Sequence, residues 1–274
     1  MSGSWPVCTT VRLGAVVLAL AVLGGPTSRT AAPPRRPAAA TRAVPVSAGD
    51  SVGHASATLL PPRYRIGALL HLRTTGQHFC TASVVDSPHR DLLITAAHCV
   101  HTGPGGGYIG GLAFSPGDPS GEGAAGVWEV SGELVDPAWA TLADPDADVA
   151  FVAVRPQHGR TIEDLVGANP LAVGRGTGSV GLIGYPDGDD GAHSCSGTAS
   201  AFGDRQLQVW CPGFTSGTSG SPWIAGPDAA GTGDGTVVGV IGGYLRGGST
   251  PDVSYSSVFG RTVASLYRRA IRLP

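Results

Sequence analysis

Three short segments, taken in chain order, hold the residue types that nucleophilic acyl transfer requires. Leu92-Leu93-Ile94-Thr95-Ala96-Ala97-His98-Cys99 is an apolar strand that ends in small residues and a histidine. Asp146-Ala147-Asp148-Val149-Ala150-Phe151-Val152 is an acidic turn running into a wholly apolar stretch. Gly217-Thr218-Ser219-Gly220-Ser221-Pro222 sets a serine inside a tight glycine turn. A serine hydroxyl is a poor nucleophile until a neutral imidazole accepts its proton. That imidazole needs a carboxylate at its other nitrogen, to fix the tautomer and to stabilise the imidazolium. The tetrahedral intermediate then needs backbone N–H donors, for which Gly217 and Ser219 are the expected pair.

Each residue also has an ordinary reading. His98 is one of eight histidines, Ser219 is one of several serines beside glycines, and Asp144 and Asp146 compete with Asp148. The order His, Asp, Ser, with Cys99 directly after the histidine, is what makes the set a candidate triad. Among the acids Asp148 is preferred, because it abuts the apolar run and is the one drawn toward the interior.

Such side chains must be held by rigid elements, and the composition says which kind. The 274 residues include 43 Gly and 22 Pro, with only 14% charged, which suits many short strands joined by turns. Strand-like runs recur at 78–85, 91–97, 126–130, 148–154, 179–185, 207–211, 237–243 and 253–259, and order begins near Ile66. This spacing predicts an all-β antiparallel sandwich or barrel. Val263, Leu266, Tyr267, Ala270 and Ile271 follow the spacing of an amphipathic helix at the C-terminus. Arg155–Asn169 reads as a connection between two domains.

The N-terminus reads as an export signal over 1–30. Arg12 precedes an apolar run, Leu13–Leu23, too short to span a bilayer comfortably, and cleavage falls between Gly25 and Ala40. The Ala/Pro/Ser/Thr/Arg-rich stretch after it, over 31–65, is expected to be a disordered pro-segment. Removal of the signal removes Cys8 and leaves Cys80, Cys99, Cys195 and Cys211, an even set that suits two disulfides in an exported chain. Three pairings are possible; the local one, Cys80–Cys99 and Cys195–Cys211, is the expectation. The product is read as secreted and monomeric, with no stable membrane anchor after signal removal.

Other chemistries find little support. All 18 basic residues are Arg, so Schiff bases, Ser-Lys dyads and a phosphate-binding lysine are excluded. A net charge of −2 gives no basic field for nucleic acid. The cysteine and histidine spacings do not form a zinc site, so no metal or cofactor is expected. Gly105–Gly110 fits G-x-G-x-x-G but follows a loop and opens no helix, so it reads as a turn. The α/β-hydrolase elbow is missed, because Ser221 stands at its last glycine position.

The segments Thr95-Ala96-Ala97-His98-Cys99, Asp148-Val149-Ala150-Phe151 and Gly217-Thr218-Ser219-Gly220-Ser221-Pro222 resemble the signatures of chymotrypsin-like (trypsin-fold) serine peptidases. The short chain and few cysteines are most similar to the bacterial, glutamyl-endopeptidase-like branch. The resemblance implies two antiparallel six-stranded β-barrels, over 66–160 and 170–274, with the site between them. It implies His98 and Asp148 on the first barrel, Ser219 on the second, Cys80–Cys99 pinning the loop behind the histidine, and a polypeptide substrate. A secreted esterase on the same triad, or an inactive binding homologue, is the alternative.

The sequence departs from the family in two places. Thr218 stands where the animal enzymes carry the Asp that captures a new N-terminal amine. Arg65-Ile66-Gly67 resembles a processing point, but activation would then work by removing the pro-segment rather than by an ion pair. The expected pocket, Gly213, Phe214, Ile241, Gly243 and Tyr244, holds no Asp, and Ile241 falls where glutamate-specific relatives place a His. Phe214 and Tyr244 narrow it, which favours small or apolar side chains.

Overall fold

A computed structural model describes residues 61–72, 77–189 and 191–274. The expected signal segment, and the expected pro-segment as far as residue 60, lie outside the described residues.

Six antiparallel strands close the first barrel: β1 (Ile66–His71), β2 (His78–Val84), β3 (Leu92–Thr95), β4 (Leu112–Pro116), β5 (Trp128–Val135) and β6 (Ala150–Val154). Their order around it is β1-β2-β3-β6-β5-β4. The second unit is a six-stranded antiparallel sheet of β7 (Gly178–Gly184), β8 (His193–Phe202), β9 (Gln206–Trp210), β10 (Pro222–Ala225), β11 (Thr236–Val240) and β12 (Val253–Ser257). Its order is β11-β10-β7-β8-β9-β12, and the end strands approach each other where Val240 N–H donates to Ser256 Oγ at 3.1 Å. This is the all-β, two-barrel architecture with a C-terminal helix.

The continuous apolar runs of β3 and β6 follow from burial on both faces. Leu93 and Val152, partners across the ladder, belong to the barrel interior with Phe114 and Trp128. Leu92, Ile94 and Phe151 point the other way, onto Val240 of β11 and onto Val263 and Leu266 of the C-terminal helix. That helix, Arg261–Ala270, buries Val263, Leu266 and Ala270 and ties back to the first barrel, where Tyr267 Oη donates to Asp86 O at 2.7 Å.

Four strands fall outside the strand-like runs expected from sequence: β1, where only the onset of order is expected, and β4, β8 and β10. The ten-residue β8 is exposed along most of its length, so its sequence carries no apolar alternation. β10 has four residues and follows a turn motif directly. Three short helices join the expected C-terminal one: Pro137–Leu142, Ile162–Val166 and Ala229–Thr232. The first is capped by Asp136, and the second, in the expected connection, carries a capping box of Thr161 and Asp164. The disulfides are Cys80–Cys99 and Cys195–Cys211.

Candidate active site

Antiparallel pairing of β3 with β6 brings the first two candidate residues together. Thr95, the last residue of β3, lies opposite Ala150, the first of β6. The chain leaving one strand and the chain entering the other therefore emerge at the same edge. A short 3-10 turn, Ala97–Cys99, then presents His98, while Asp148 precedes β6 by two residues.

Asp148 is fully buried and accepts three hydrogen bonds. Its Oδ1 takes the His98 backbone N–H at 2.9 Å, and its Oδ2 lies 2.8 Å from His98 Nδ1 and takes Gly243 N–H at 2.8 Å. A buried carboxylate held this way fixes both the place and the tautomer of the imidazole. The competing acids are occupied elsewhere. Asp144 caps the turn Pro145–Ala147 by accepting Asp146 N–H, and Asp146 pairs with Arg205 at 2.6 Å and accepts from Gln206 Nε2.

Ser219 lies between β9 and β10 in a turn packed against the His98 strand end. Its carbonyl accepts Thr81 N–H at 2.7 Å and lies 3.7 Å from Cys99 Sγ. Gly220, at φ +83°, backs onto the same end: a Cβ there would overlap Thr95 Oγ1 and the Thr81 carbonyl oxygen. The Cys80–Cys99 bridge pins the segment directly after the histidine.

Among the described residues neither Gly217 N–H nor Ser219 N–H has an acceptor. The Ser216 carbonyl accepts Asp187 N–H at 2.7 Å. A trans peptide sets N–H opposite C=O, so the Gly217 N–H points away from Asp187. Gly217 holds φ +89°, and a Cβ there would come within 2.6 Å of Tyr185 O and Asp187 N. Thr218 is buried, and its Oγ1 donates to Thr215 O at 2.6 Å, so the residue before the serine is satisfied within its own turn.

A cavity of about 370 Å³ opens beside Ser219, lined by Phe214, Thr215, Ser216, Ile241, Arg246 and Thr250 among others. Of the expected pocket residues, Phe214 and Ile241 line this cavity, whereas Gly213, Gly243 and Tyr244 do not. Tyr244 instead joins Phe202 and Tyr255 in a cluster of rings with centroids 4.8–5.0 Å apart. Gly213 faces His193, and Gly243 spends its N–H on Asp148. Arg246, which lies close to the expected pocket in sequence, also lines the cavity, and the wall continues through Gly247–Pro251, a stretch outside the expected pocket residues. A larger cavity, about 740 Å³, is lined by residues including His78, Asp118 and Asp187, and touches neither His98 nor Ser219.

The Arg65–Ile66 junction is built into the fold. Arg65 donates to Asn169 Oδ1 at 2.9 Å and pairs with Asp234, while Ile66 is fully buried at the start of β1.

The trypsin-like peptidase domain family matches residues 80–240, more than half of the chain. Among solved structures, the chain is similar to the thermostable serine protease AL20 from an extremophilic microorganism, at 29% identity and a TM-score of 0.68. That match covers 77% of this chain and 99% of the other. It is similar also to protease Anisep from Arthrobacter nicotinovorans, at 26% identity and a TM-score of 0.66, covering 78% of this chain and 98% of the other. A Glu endopeptidase shares the fold at 16% identity and a TM-score of 0.58, covering 77% and 91%. No curated protein sequence matches the chain. The domain match and the two-barrel fold lead to one assignment: the chain belongs to the trypsin-like peptidase family and is a serine-type endopeptidase.

Proposed function

We propose that Ser219, His98 and Asp148 form the catalytic triad of an exported enzyme that cleaves polypeptides through an acyl-enzyme. Ser219 Oγ attacks the peptide carbonyl carbon while its proton passes to His98 Nε2. Asp148 Oδ2 holds the Nδ1 proton and offsets the imidazolium charge. The carbonyl oxygen becomes an oxyanion that accepts from Gly217 and Ser219 N–H. The C–N bond then breaks, and the leaving amine takes the proton from His98. Water attacks the acyl ester, gives a proton to His98, and Ser219 Oγ regains it on release of the acid. The observation that carries this reading is the buried Asp148 carboxylate, with two backbone N–H groups and His98 Nδ1 all at 2.8–2.9 Å.

The reading is tested with Ser219→Ala. Labelling by a fluorophosphonate and digestion of casein should both disappear in that variant; persistence of either at wild-type level rejects Ser219 as the nucleophile.

For the primary pocket, the buried Phe214 and Ile241 support a small or apolar side chain. A second reading is favoured by Arg246. It lines the same cavity, beside Thr215, Ser216 and Thr250, and among the described residues it pairs with no carboxylate. A free guanidinium with hydroxyls around it suits an acidic side chain. Cleavage profiling on a mixed proteome, repeated with Arg246→Ala, separates the two: only the acidic reading predicts cuts after Glu or Asp that this variant loses.

Export is supported by the two disulfides, which form and persist in oxidising compartments. N-terminal sequencing of protein recovered from culture medium tests it, and an uncleaved N-terminus retained in cells counts against it.

A further inference from the structure

Both residues that offer an oxyanion donor have their carbonyls on one residue of the other barrel, Thr81. This fully buried threonine of β2 donates from its N–H to Ser219 O at 2.7 Å and from its hydroxyl to Gly217 O at 3.1 Å. The same hydroxyl accepts Tyr185 N–H at 3.1 Å, at the end of β7. The Thr81 carbonyl in turn accepts from Thr95 Oγ1 at 2.7 Å, on the strand that delivers His98.

Gly217 is the residue most in need of such a hold. It has no side chain to restrict its backbone, and φ +89° is one of several wells open to it. Because peptide units are planar, pinning the units on both sides of a residue fixes its φ and ψ. Upstream, Asp187 N–H pins the 216–217 unit through Ser216 O. Downstream, the Thr81 hydroxyl pins the 217–218 unit through Gly217 O. Release of the downstream unit frees Gly217 to rotate and to swing its N–H away from the oxyanion.

We infer that the Thr81 hydroxyl is a positioning residue for transition-state stabilisation, locking Gly217 with its N–H aimed at the oxyanion. With Thr218 in place of a carboxylate, this contact between barrels holds the loop without any chain-terminal amine. The inference rests on the triad and oxyanion reading above.

The test compares Thr81→Val, which keeps the shape but loses the hydroxyl, with Thr81→Ser, which keeps the hydroxyl. The matured enzyme is assayed on a peptide anilide, with rates normalised to sites titrated to completion with a fluorophosphonate. Loss of one oxyanion donor typically costs about 10²–10³ in rate, so loss of its support should lower kcat by about 10–100-fold in Thr81→Val. KM should stay within about twofold, as expected when an interaction made only in the transition state is lost. The inhibition constant of a peptide aldehyde, whose adduct carries the oxyanion, should rise in step. Thr81→Ser should stay within about threefold of wild type in all three. A Thr81→Val kcat within threefold of wild type, or a Thr81→Ser loss as deep as that of Thr81→Val, overturns the inference. If Thr81→Val does not fold, Thr81→Ala carries the same expectation and the same refuting results. A wild-type enzyme that fails to label at Ser219 would instead reject the reading of the site itself.

Discussion

Replacing Asp148 by Asn tests the assignment of the acid most directly. The carboxylate accepts on both oxygens from backbone groups that cannot turn away: His98 N–H on Oδ1 and Gly243 N–H on Oδ2. An amide offers one acceptor and one donor. With its oxygen at the Oδ2 position, the introduced amide keeps Gly243 and Nδ1–H but sets NH2 against the His98 N–H. With the amide reversed, NH2 opposes Gly243 N–H and donates to Nδ1, which drives the imidazole proton onto Nε2. That nitrogen must be free to take the serine proton. Either way one buried N–H is left unsatisfied, at a cost of about 1–3 kcal/mol. At about 2–4 °C per kcal/mol for a domain of this size, the melting temperature should fall by roughly 2–12 °C. The catalytic loss is larger, because the charge opposite the imidazolium is gone and, in one orientation, so is the working tautomer. We expect kcat to fall by about 10²–10⁴-fold. The assay is kcat on a peptide anilide for folded protein, with Asp144→Asn and Asp146→Asn alongside, each expected within about threefold of wild type. An Asp148→Asn enzyme within tenfold of wild type, beside a hundredfold loss in either control, would refute the assignment.

Gly220→Ala should abolish folding or activity, because an added Cβ meets Thr95 Oγ1 and the Thr81 carbonyl at a positive φ; circular dichroism with casein digestion checks it, and a folded, active variant contradicts it. Removing the Cys80–Cys99 bridge, with a sequence separation of 19, should cost about 3 kcal/mol in a denaturant melt. A loss under about 1 kcal/mol would mean that packing alone holds the His98 segment. Glu133 is partly buried, and desolvation raises its carboxyl above the ordinary value of 4.5. The folded state thus binds the proton more tightly than the unfolded state, so stability falls as pH rises from about 4.5 through the folded value and stays lower at neutral pH. Glu133→Gln should therefore melt higher than wild type at pH 7 and equally at pH 4, whereas an advantage that survives at pH 4 has another cause.

Much of the fold was legible because burial on both faces writes itself into sequence. The runs of β3 and β6 are apolar throughout, since one face fills the barrel and the other meets the C-terminal helix. β8 left no such trace, because most of its side chains are exposed and its place is set by ladder hydrogen bonds to β7 and β9. The pocket was only half legible for a related reason. Phe214 and Ile241 line the cavity beside Ser219, but Gly247–Pro251 reaches it through a glycine-rich loop with no hydrophobic period to follow.

Local chemistry singled out His98 and Ser219 and excluded every mechanism that needs a lysine, because residue type and immediate neighbours are properties of the chain itself. The same local reading preferred Asp148 over Asp144 and Asp146, but its contact with His98 depends on the antiparallel register of Thr95 with Ala150, and its third hydrogen bond on a backbone N–H from Gly243, 95 residues away. The hold of Thr81 on Gly217, across 136 residues and two barrels, exists only once both barrels have closed. Hydrogen bonds are short-range, so which donor meets which acceptor is settled by packing, and sequence distance carries no record of it.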